Sequence, residues 1–536
     1  MTRLPLLLAS VAACSACPAF AQSRQISPYI EAGQVLTADL QSGDVLTYSS
    51  LAAGVDASVQ TQRVEVQLSY RYEHRVAWDD EIGDESVHSG LARAAVKLAP
   101  GLSVEGGALA TRARTDIRGA APGNLAGDPA NVSQVYSAYA GPTYATRVGP
   151  ATLNAAYRFG YTKVEDSSPT LVPEGQVPLD SYDDSRTHMA VASIGVRAGE
   201  VLPVGVTVSG AWMREDTGQL DQRYEGKYAR GDVVLPVSPT VALTAGLGYE
   251  NIEISQRDAL LVPAGQPGAG LPVADSNGRF ITDPASPRRL AYDTDGLFWD
   301  AGVIWRPSAR TTVTARVGRR YDSTTYLGSI SYAVSETSGL NVGVYDSVTS
   351  FGRGVNNAIA SLPTSFNDNI GPFGSGYNSC VFGTQGSAAG NCLTPLLASV
   401  STANFRARGV DAVFSANSGP FTFGIGGGYA NRKFLVPLDT QASVLGGIDD
   451  DIYYAQFVVD RVLTPRSSVS GNVYANYFDS GLIGASEVFG VGANGSYNYS
   501  FGRFGAVASA GIYTSDQEGV GTDTGAQAQL GMRYSF

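Results

Sequence analysis

The last twelve residues, GAQAQLGMRYSF (525–536), alternate in character at every step. Counted back from the end, Phe536, Tyr534, Met532, Leu530 and Ala528 are apolar. Between them stand Ser535, Arg533, Gly531 and Gln529, which are small or polar. A period of two gives a strand with one greasy face and one wet face. A strand of a soluble sandwich reads the same way. Two features point elsewhere: an aromatic occupies the last position, and the alternation recurs along nearly the whole chain. In RVEVQLSYRY (63–72), Val64, Val66, Leu68, Tyr70 and Tyr72 share one face, and Arg63, Glu65, Gln67, Ser69 and Arg71 share the other.

At its end the chain resembles the bacterial outer-membrane β-barrels. In that family the last strand carries the signal for the barrel-assembly machinery, a terminal aromatic preceded by alternating apolar residues. Leu530, Met532, Tyr534 and Phe536 match it. The resemblance implies an all-β fold, a transmembrane antiparallel up-and-down barrel in the bacterial outer membrane. Its implied partners are outer-membrane lipid, lipopolysaccharide and the assembly machinery.

Composition agrees. Glycine (63) and tyrosine (28) are abundant and charged residues are few, at 16%. Lysine occurs only at Lys97, Lys163, Lys227 and Lys433. No stretch approaches the roughly 18 apolar residues of a transmembrane helix. A mean hydropathy of −0.03 suits strands that are half lipid-facing and half wet. The net charge of −12 argues against nucleic-acid binding. Residues 1–21 read as a secretory signal, with Arg3 as its charged start, an apolar core from Leu4 to Ala13, and Ala19-Phe20-Ala21 before the cut. Val11-Ala12-Ala13-Cys14 offers a rival lipidation site. After the ordinary cut only Cys380 and Cys392 remain, and an exported pair favours a loop-closing disulfide over two free thiols.

Residues 22–536 then form one barrel of about 22 strands, an even number as bacterial barrels require. Connections alternate between short turns, such as 149–151 and 500–503, and long polar loops, such as 78–85, 118–131, 166–185, 255–290 and 435–451. Short turns belong to the periplasmic side and long loops to the outside. Tyr70, Tyr72, Trp78, Trp299, Trp305, Tyr453 and Tyr454 suit the aromatic girdles at the two interfaces, although aromatics favour strands generally. Residues 350–401, rich in Gly, Ser and Asn and holding both cysteines, are too long for a plain hairpin loop. They could enter the lumen and constrict it, or cap the barrel from outside.

Catalytic signatures are missing. There is no nucleophile elbow, phosphate-binding Gly loop, H-E-x-x-H or mature C-x-x-C. No metal centre, cofactor or enzymatic activity is expected. His74, His88 and His188, with Asp79, Asp80, Glu81, Asp183 and Asp184, would fall near the outer rim. There they could activate water, or be solvated, or bind Mg²⁺ or Ca²⁺ that bridges them to lipopolysaccharide phosphates. Arg63, Glu65, Arg71, Arg158, Arg223, Glu225, Lys227, Arg316 and Arg533 are the candidate lumen-lining residues. A charge facing lipid near the midplane costs about 2–4 kcal/mol. Such residues either guide anionic solutes or pair across strands and stiffen the wall.

The mature chain, with stretches such as ISPYIEAGQVLTADLQSGDVLTYSSLAAGVDASVQ (26–60), resembles the β-barrel porins found beside exopolysaccharide and exosortase-type gene sets of Gram-negative bacteria. That resemblance implies association with polysaccharide or its export partners. Alternating strands begin soon after Gln22, which leaves no room for an N-terminal plug and argues against energised siderophore uptake. Three readings compete: a pore for small or anionic solutes such as saccharides, a weakly conducting partner of a surface-polysaccharide system, and a rim-active hydrolase.

Overall fold

In a computed structural model, residues 23–78, 85–116, 131–165, 179–367, 377–437, 445–482, 485–519 and 521–536 are described. The expected leader, with Cys14 and Cys17, and the rim carboxylates Asp79, Asp80 and Glu81 lie outside them. The described residues form one antiparallel sheet of 22 strands and a separate two-stranded hairpin.

In chain order the wall begins with β1 (Ser23–Asp39), β2 (Val45–Gln60), β3 (Val64–Ala77), β4 (Glu85–Ala99), β5 (Leu102–Arg114) and β6 (Val132–Val148). It continues with β7 (Ala151–Glu165), β8 (Asp184–Val196), β9 (Gly205–Thr217), β10 (Arg223–Pro236), β11 (Val241–Gln256) and β12 (Arg289–Ser308). The short pair β13 (Thr311–Arg320) and β14 (Ser323–Ala333) leads to β15 (Gly339–Thr349). Here the insertion leaves the wall as helix α1 (Phe351–Ser361), strands β16 (Cys380–Gln385) and β17 (Ala388–Cys392), and helix α2 (Thr394–Leu397). The wall resumes with β18 (Asn404–Ser418), β19 (Phe421–Leu435), β20 (Asp449–Thr464), β21 (Ser467–Ser480), β22 (Val488–Phe501), β23 (Phe504–Gln517) and β24 (Gly521–Ser535). The terminal strand closes the ring: Tyr29 to Asp39 of β1 pair antiparallel with Ser535 to Gly525 of β24. Closure gives every wall strand a neighbour on both sides, as a strand in hydrocarbon requires.

Turns on one side are tight. Gly149 (φ 59°) and Gly502 (φ 74°) sit in two-residue connections that need a left-handed residue. The first residue described, Ser23, and the last, Phe536, lie on this side, which is periplasmic. The other side carries the long loops, but not only those. Residues 40–44, 218–222 and 321–322 are short yet external, and Tyr321 (φ 53°) and Asp322 (φ 55°) make a two-residue turn without glycine. Loop length alone therefore does not report the side.

The outer face is apolar. Leu297, Leu530 and Met532 are among its most exposed side chains. The periplasmic edge ends in a girdle where Phe501 stacks on Phe504, Phe504 meets Tyr534 at 5.0 Å, and Tyr534 meets Phe536 at 5.1 Å between ring centroids. The terminal alternation thus places Leu530 and Met532 against lipid and Tyr534 and Phe536 at the interface. At the external edge Tyr249, Trp299, Tyr326, Tyr453 and Tyr477 face outward; Tyr454, its neighbour notwithstanding, points inward to Asp411. A closed barrel with an apolar belt between aromatic girdles resides in the bacterial outer membrane.

Candidate functional site

The insertion enters the lumen. Helix α1 is capped by Ser350, whose Oγ accepts from the Arg353 N–H at 3.2 Å. Glu215 of β9 stands at this N-terminus, accepting from Ser350 Oγ at 2.6 Å and pairing with Arg353 at 3.1 Å. At the opposite end Arg93 of β4 donates to the carbonyls of Ala360 and Leu362, both at 3.1 Å. The wall therefore presents an anion to the positive end of the helix and a cation to its negative end. Arg353 and Glu215 are both almost fully buried, and the guanidinium also donates to Asn404 at 2.9 Å and lies 3.4 Å above the Tyr224 ring.

Beyond the helix the chain descends to the periplasmic mouth. Thr364 donates to Glu65 at 3.0 Å, Phe366 exchanges two hydrogen bonds with Gln67, and Asn367 donates to Asp460 at 3.2 Å. Glu65 and Gln67 open β3 and Asp460 lies near the end of β20, all beside periplasmic turns. Between β16 and β17, the Gly386 N–H donates to Glu336 O at 2.8 Å, in the turn between β14 and β15. The insertion thus spans the lumen from the outer rim to the periplasmic turns, and of the two placements open to the sequence it takes the inward one.

Wall glycines make its bed. A Cβ on Gly107 would come 2.8 Å from Ile359, and one on Gly160 2.7 Å from Asn356. On β19, a Cβ on Gly424 would collide with the Phe382 ring, and one on Gly426 would stand 2.5 Å from Cys380 Sγ. Cys380 and Cys392 are joined by a disulfide that clamps the ends of the β16–β17 hairpin. Constraining a loop of this size contributes about 3 kcal/mol in the chain-entropy account. Replacing both cysteines with serine is expected to leave the wall intact and make the hairpin exchange its amides faster, measurable by hydrogen exchange.

The insertion's return is fastened outside the membrane. Asp180 accepts from the Phe280 N–H at 2.8 Å and from Gln219 at 2.6 Å, while its backbone carbonyl accepts from Thr402 at 3.2 Å. Four external segments meet there. Burial pushes the Asp180 carboxyl up to about 7, against the hydrogen bonds that favour its charge. The neutral acid is the form this contact prefers. Below the ordinary value of 3.8 both free and packed states hold the proton; as pH rises from there to about 7 only the free state loses it. The contact should therefore loosen over that window and stay constant above it. Protease accessibility of residues 257–288 against pH checks this, and Asp180→Asn should flatten the profile.

Of the candidate lumen residues, several point inward. Arg71 bonds Glu31 at 2.9 Å and also pairs with Glu73; Arg533 pairs with Asp56 at 2.7 Å and lies over the Tyr29 ring. Arg158 donates to Asn357 of α1 at 3.2 Å and lies over Tyr139. Arg316 reaches Asp232 at 3.2 Å and Asp300 at 3.5 Å. Four others are corrected. Arg63 is an exposed residue of the periplasmic turn before β3, outside the wall. Arg223, Glu225 and Lys227 face outward: on β10 the inward set is Tyr224, Tyr228, Arg230 and Asp232, so the odd positions take the other face. They stand beyond the external girdle, where a charge on the outer face meets headgroups and water.

Among the described residues, His88 and His188 contact aromatic side chains rather than carboxylates. The described rings face outward among aromatics: His188 bonds Tyr157 Oη at 2.7 Å and packs near Phe159 and Trp212, and His88 bonds Tyr70 Oη at 2.7 Å. Asp183 pairs instead with Arg279 at 3.3 Å.

The described helices and strands of the insertion pack mainly against β5 to β8, β15, β18 and β19, so among the described residues the sector of β21 to β24 is left largely uncovered. Inward positions of β21 to β24 carry Ser468, Asn472, Asn494, Ser496, Ser509, Gln527 and Gln529, polar and uncharged, between Asp523 at the external end of β24 and Arg533 at its periplasmic end. At its periplasmic end lies a cavity of about 710 Å³ bounded by this wall, by Tyr29, Arg71 and Arg533, and by Asn367 of the insertion. Sequence reasoning missed both features. The glycine run of β19, whose inward positions are Gly424, Gly426 and Gly428, was the legible sign of something packed against the wall.

No protein-family model matches the chain, and no curated protein matches it. Among solved structures, it is similar to the ferric-catecholate import receptor Fiu of E. coli K12, with 12% identity and a TM-score of 0.45 over 95% of this chain and 81% of that one. The FrpB iron transporter of Neisseria meningitidis gives 11% identity and a TM-score of 0.42 over 95% and 81%. The siderophore receptor PiuA of Acinetobacter baumannii gives 9% identity and 0.41 over 95% and 82%.

Proposed function

We propose that the protein is an outer-membrane channel for small hydrophilic solutes, which pass through the sector that the insertion leaves open. The observation that carries this reading is the middle of the β21–β24 wall, polar and without charge between Asp523 and Arg533, above the periplasmic cavity. Wide barrels hold water unless filled, and the described part of the insertion fills the lumen only in part.

The charge pattern favours uncharged solutes, saccharides among them, over anions. In the cluster around β1 to β5, Arg71, Arg75, Arg112 and Arg533 stand against Glu31, Asp56, Glu73 and Glu85, four cations to four anions. Arg230 and Arg316 stand against Asp232 and Asp300, two to two. Paired in this way, these arginines stiffen the wall and add little net field; Arg93 and Arg158, held by carbonyls and by Asn357, are inward cations on the insertion's side of the lumen.

The reach of the insertion from rim to periplasmic turn favours a second reading, in which the resting protein conducts little and serves a surface-polysaccharide system as a partner. Folded protein in planar bilayers separates the two. The channel reading expects small, steady, weakly selective conductance and swelling of loaded liposomes by mono- and disaccharides. Silent bilayers would overturn it. Arg316→Glu turns the β10–β13 cluster from two against two into one cation against three anions. Its expected effect is a reversal potential shifted towards cation preference in a salt gradient.

A further inference from the structure

The outer surface carries a charge order that the channel does not use. On most strands the last outward apolar residue is followed, two residues towards the outside, by a polar one. Examples are Tyr249 then Asn251, Leu297 then Asp295, and Tyr477 then Asp479. This step marks the edge of the hydrocarbon. On four consecutive strands, β7 to β10, the residue at that step is basic: Lys163, Arg186, Arg214 and Lys227. Two of the chain's four lysines stand in this row. One step further out, the same four strands carry Glu165, Asp184, Asp216 and Glu225, and beyond them Arg223 pairs with Asp216 at 2.7 Å.

The row is available to a ligand. Lys163, Arg214 and Lys227 keep 40%, 37% and 59% of their side-chain exposure although each touches its acidic neighbour. Arg186 is exposed and has no carboxylate partner among the described residues. Below the row, Tyr161 and Trp212 offer aromatic surface at the interface. Half a circumference away, eleven strands on from β9, the corresponding sector is acidic, with Asp451, Asp479, Glu487 and Asp516 and no basic residue at that step.

We propose that the β7–β10 sector binds the phosphorylated headgroup of an outer-leaflet glycolipid. Phosphates carried at the hydrocarbon edge meet the basic row. Divalent cations bound on the outer side of those phosphates meet the acidic row. The acyl chains lie against the aromatics beneath. A second copy of this chain, joined basic sector to acidic sector, is the competing occupant. It fits less well, because a single row of side chains across four strands falls short of the roughly 800 Å² per partner that a stable interface buries.

The test uses folded full-length protein in phosphatidylcholine nanodiscs titrated with bis-phosphorylated lipid A or with its dephosphorylated form. Binding is read by native mass spectrometry and folding by heat-modifiable migration. We expect wild type to retain the phosphorylated lipid selectively. The variant with Lys163→Gln, Arg186→Gln, Arg214→Gln and Lys227→Gln should lose at least about tenfold in affinity, since each basic group near an anionic surface contributes about fivefold before its acidic neighbour is discounted. Should that variant fail to fold, Arg186→Gln with Lys227→Gln alone is expected to weaken binding severalfold. A control with Asp451→Asn, Asp479→Asn and Glu487→Gln on the far sector should bind as wild type does. Equal retention of both lipids, or of phosphorylated lipid by wild type and a folded basic-row variant, would overturn the proposal. So would wild-type oligomers that either sector's variant disperses without any change in lipid retention.

Discussion

Replacing residues 351–402 by a short flexible linker is expected to raise single-channel conductance by roughly tenfold, because a ring of 22 strands encloses a water-filled lumen once nothing fills it. The insertion's path carries this expectation: it touches the wall at Arg93, Glu215, Gln67 and Asp460 and ends against the periplasmic turn at Glu336. The wall should survive the change, since its 22 strands pair with one another independently of the insertion. A gentler variant reports on the same claim. Gly424→Leu with Gly426→Leu puts side chains where Phe382 and the Cys380–Cys392 disulfide now lie, so the hairpin must move and conductance must rise or become unsteady. Unchanged conductance in both folded variants would mean that solutes never met the insertion.

The second large effect is expected at Glu215. Glu215→Ala leaves the Arg353 guanidinium buried without its carboxylate, and removing one member of a buried pair costs about 3–5 kcal/mol. It also removes the acceptor of Ser350 Oγ and the anion at the start of α1. Local release of α1 should relieve that cost, exposing Arg353 to trypsin while the barrel stays folded. The double variant Glu215→Gln, Arg353→Met removes both charges and should recover most of the loss, which separates the buried charge from a packing defect. If the single variant resists trypsin as wild type does, the helix is not held by this pair.

The wall was legible because a barrel strand writes its period of two into every residue. The terminal alternation places Leu530 and Met532 against lipid and Tyr534 and Phe536 in the periplasmic girdle. Which face is inward was harder. Arg223, Glu225 and Lys227 look like lumen residues if charge is taken to mean lumen. β10 runs past the hydrocarbon, however, and beyond the girdle a charge is tolerated on either face. The same reasoning misplaced Arg63, which stands in a turn. The insertion was readable as an anomaly of length. Its course was not, because long-range contacts such as Arg353 with Glu215 or Thr364 with Glu65 leave no local period. Only the inward glycines of β19 hinted at a neighbour.

The most direct measurement is a cross-link between the insertion and the periplasmic mouth. Thr364 and Glu65 are hydrogen-bonded at 3.0 Å although 299 residues apart in sequence. With Cys380 and Cys392 replaced by serine, Thr364→Cys and Glu65→Cys should join nearly completely under mild oxidation in folded, membrane-embedded protein. An insertion capping the barrel from outside would hold these positions roughly a membrane's thickness apart, about 25 Å. Folded protein that yields no such bond would contradict an insertion that runs through the lumen from rim to periplasmic turn.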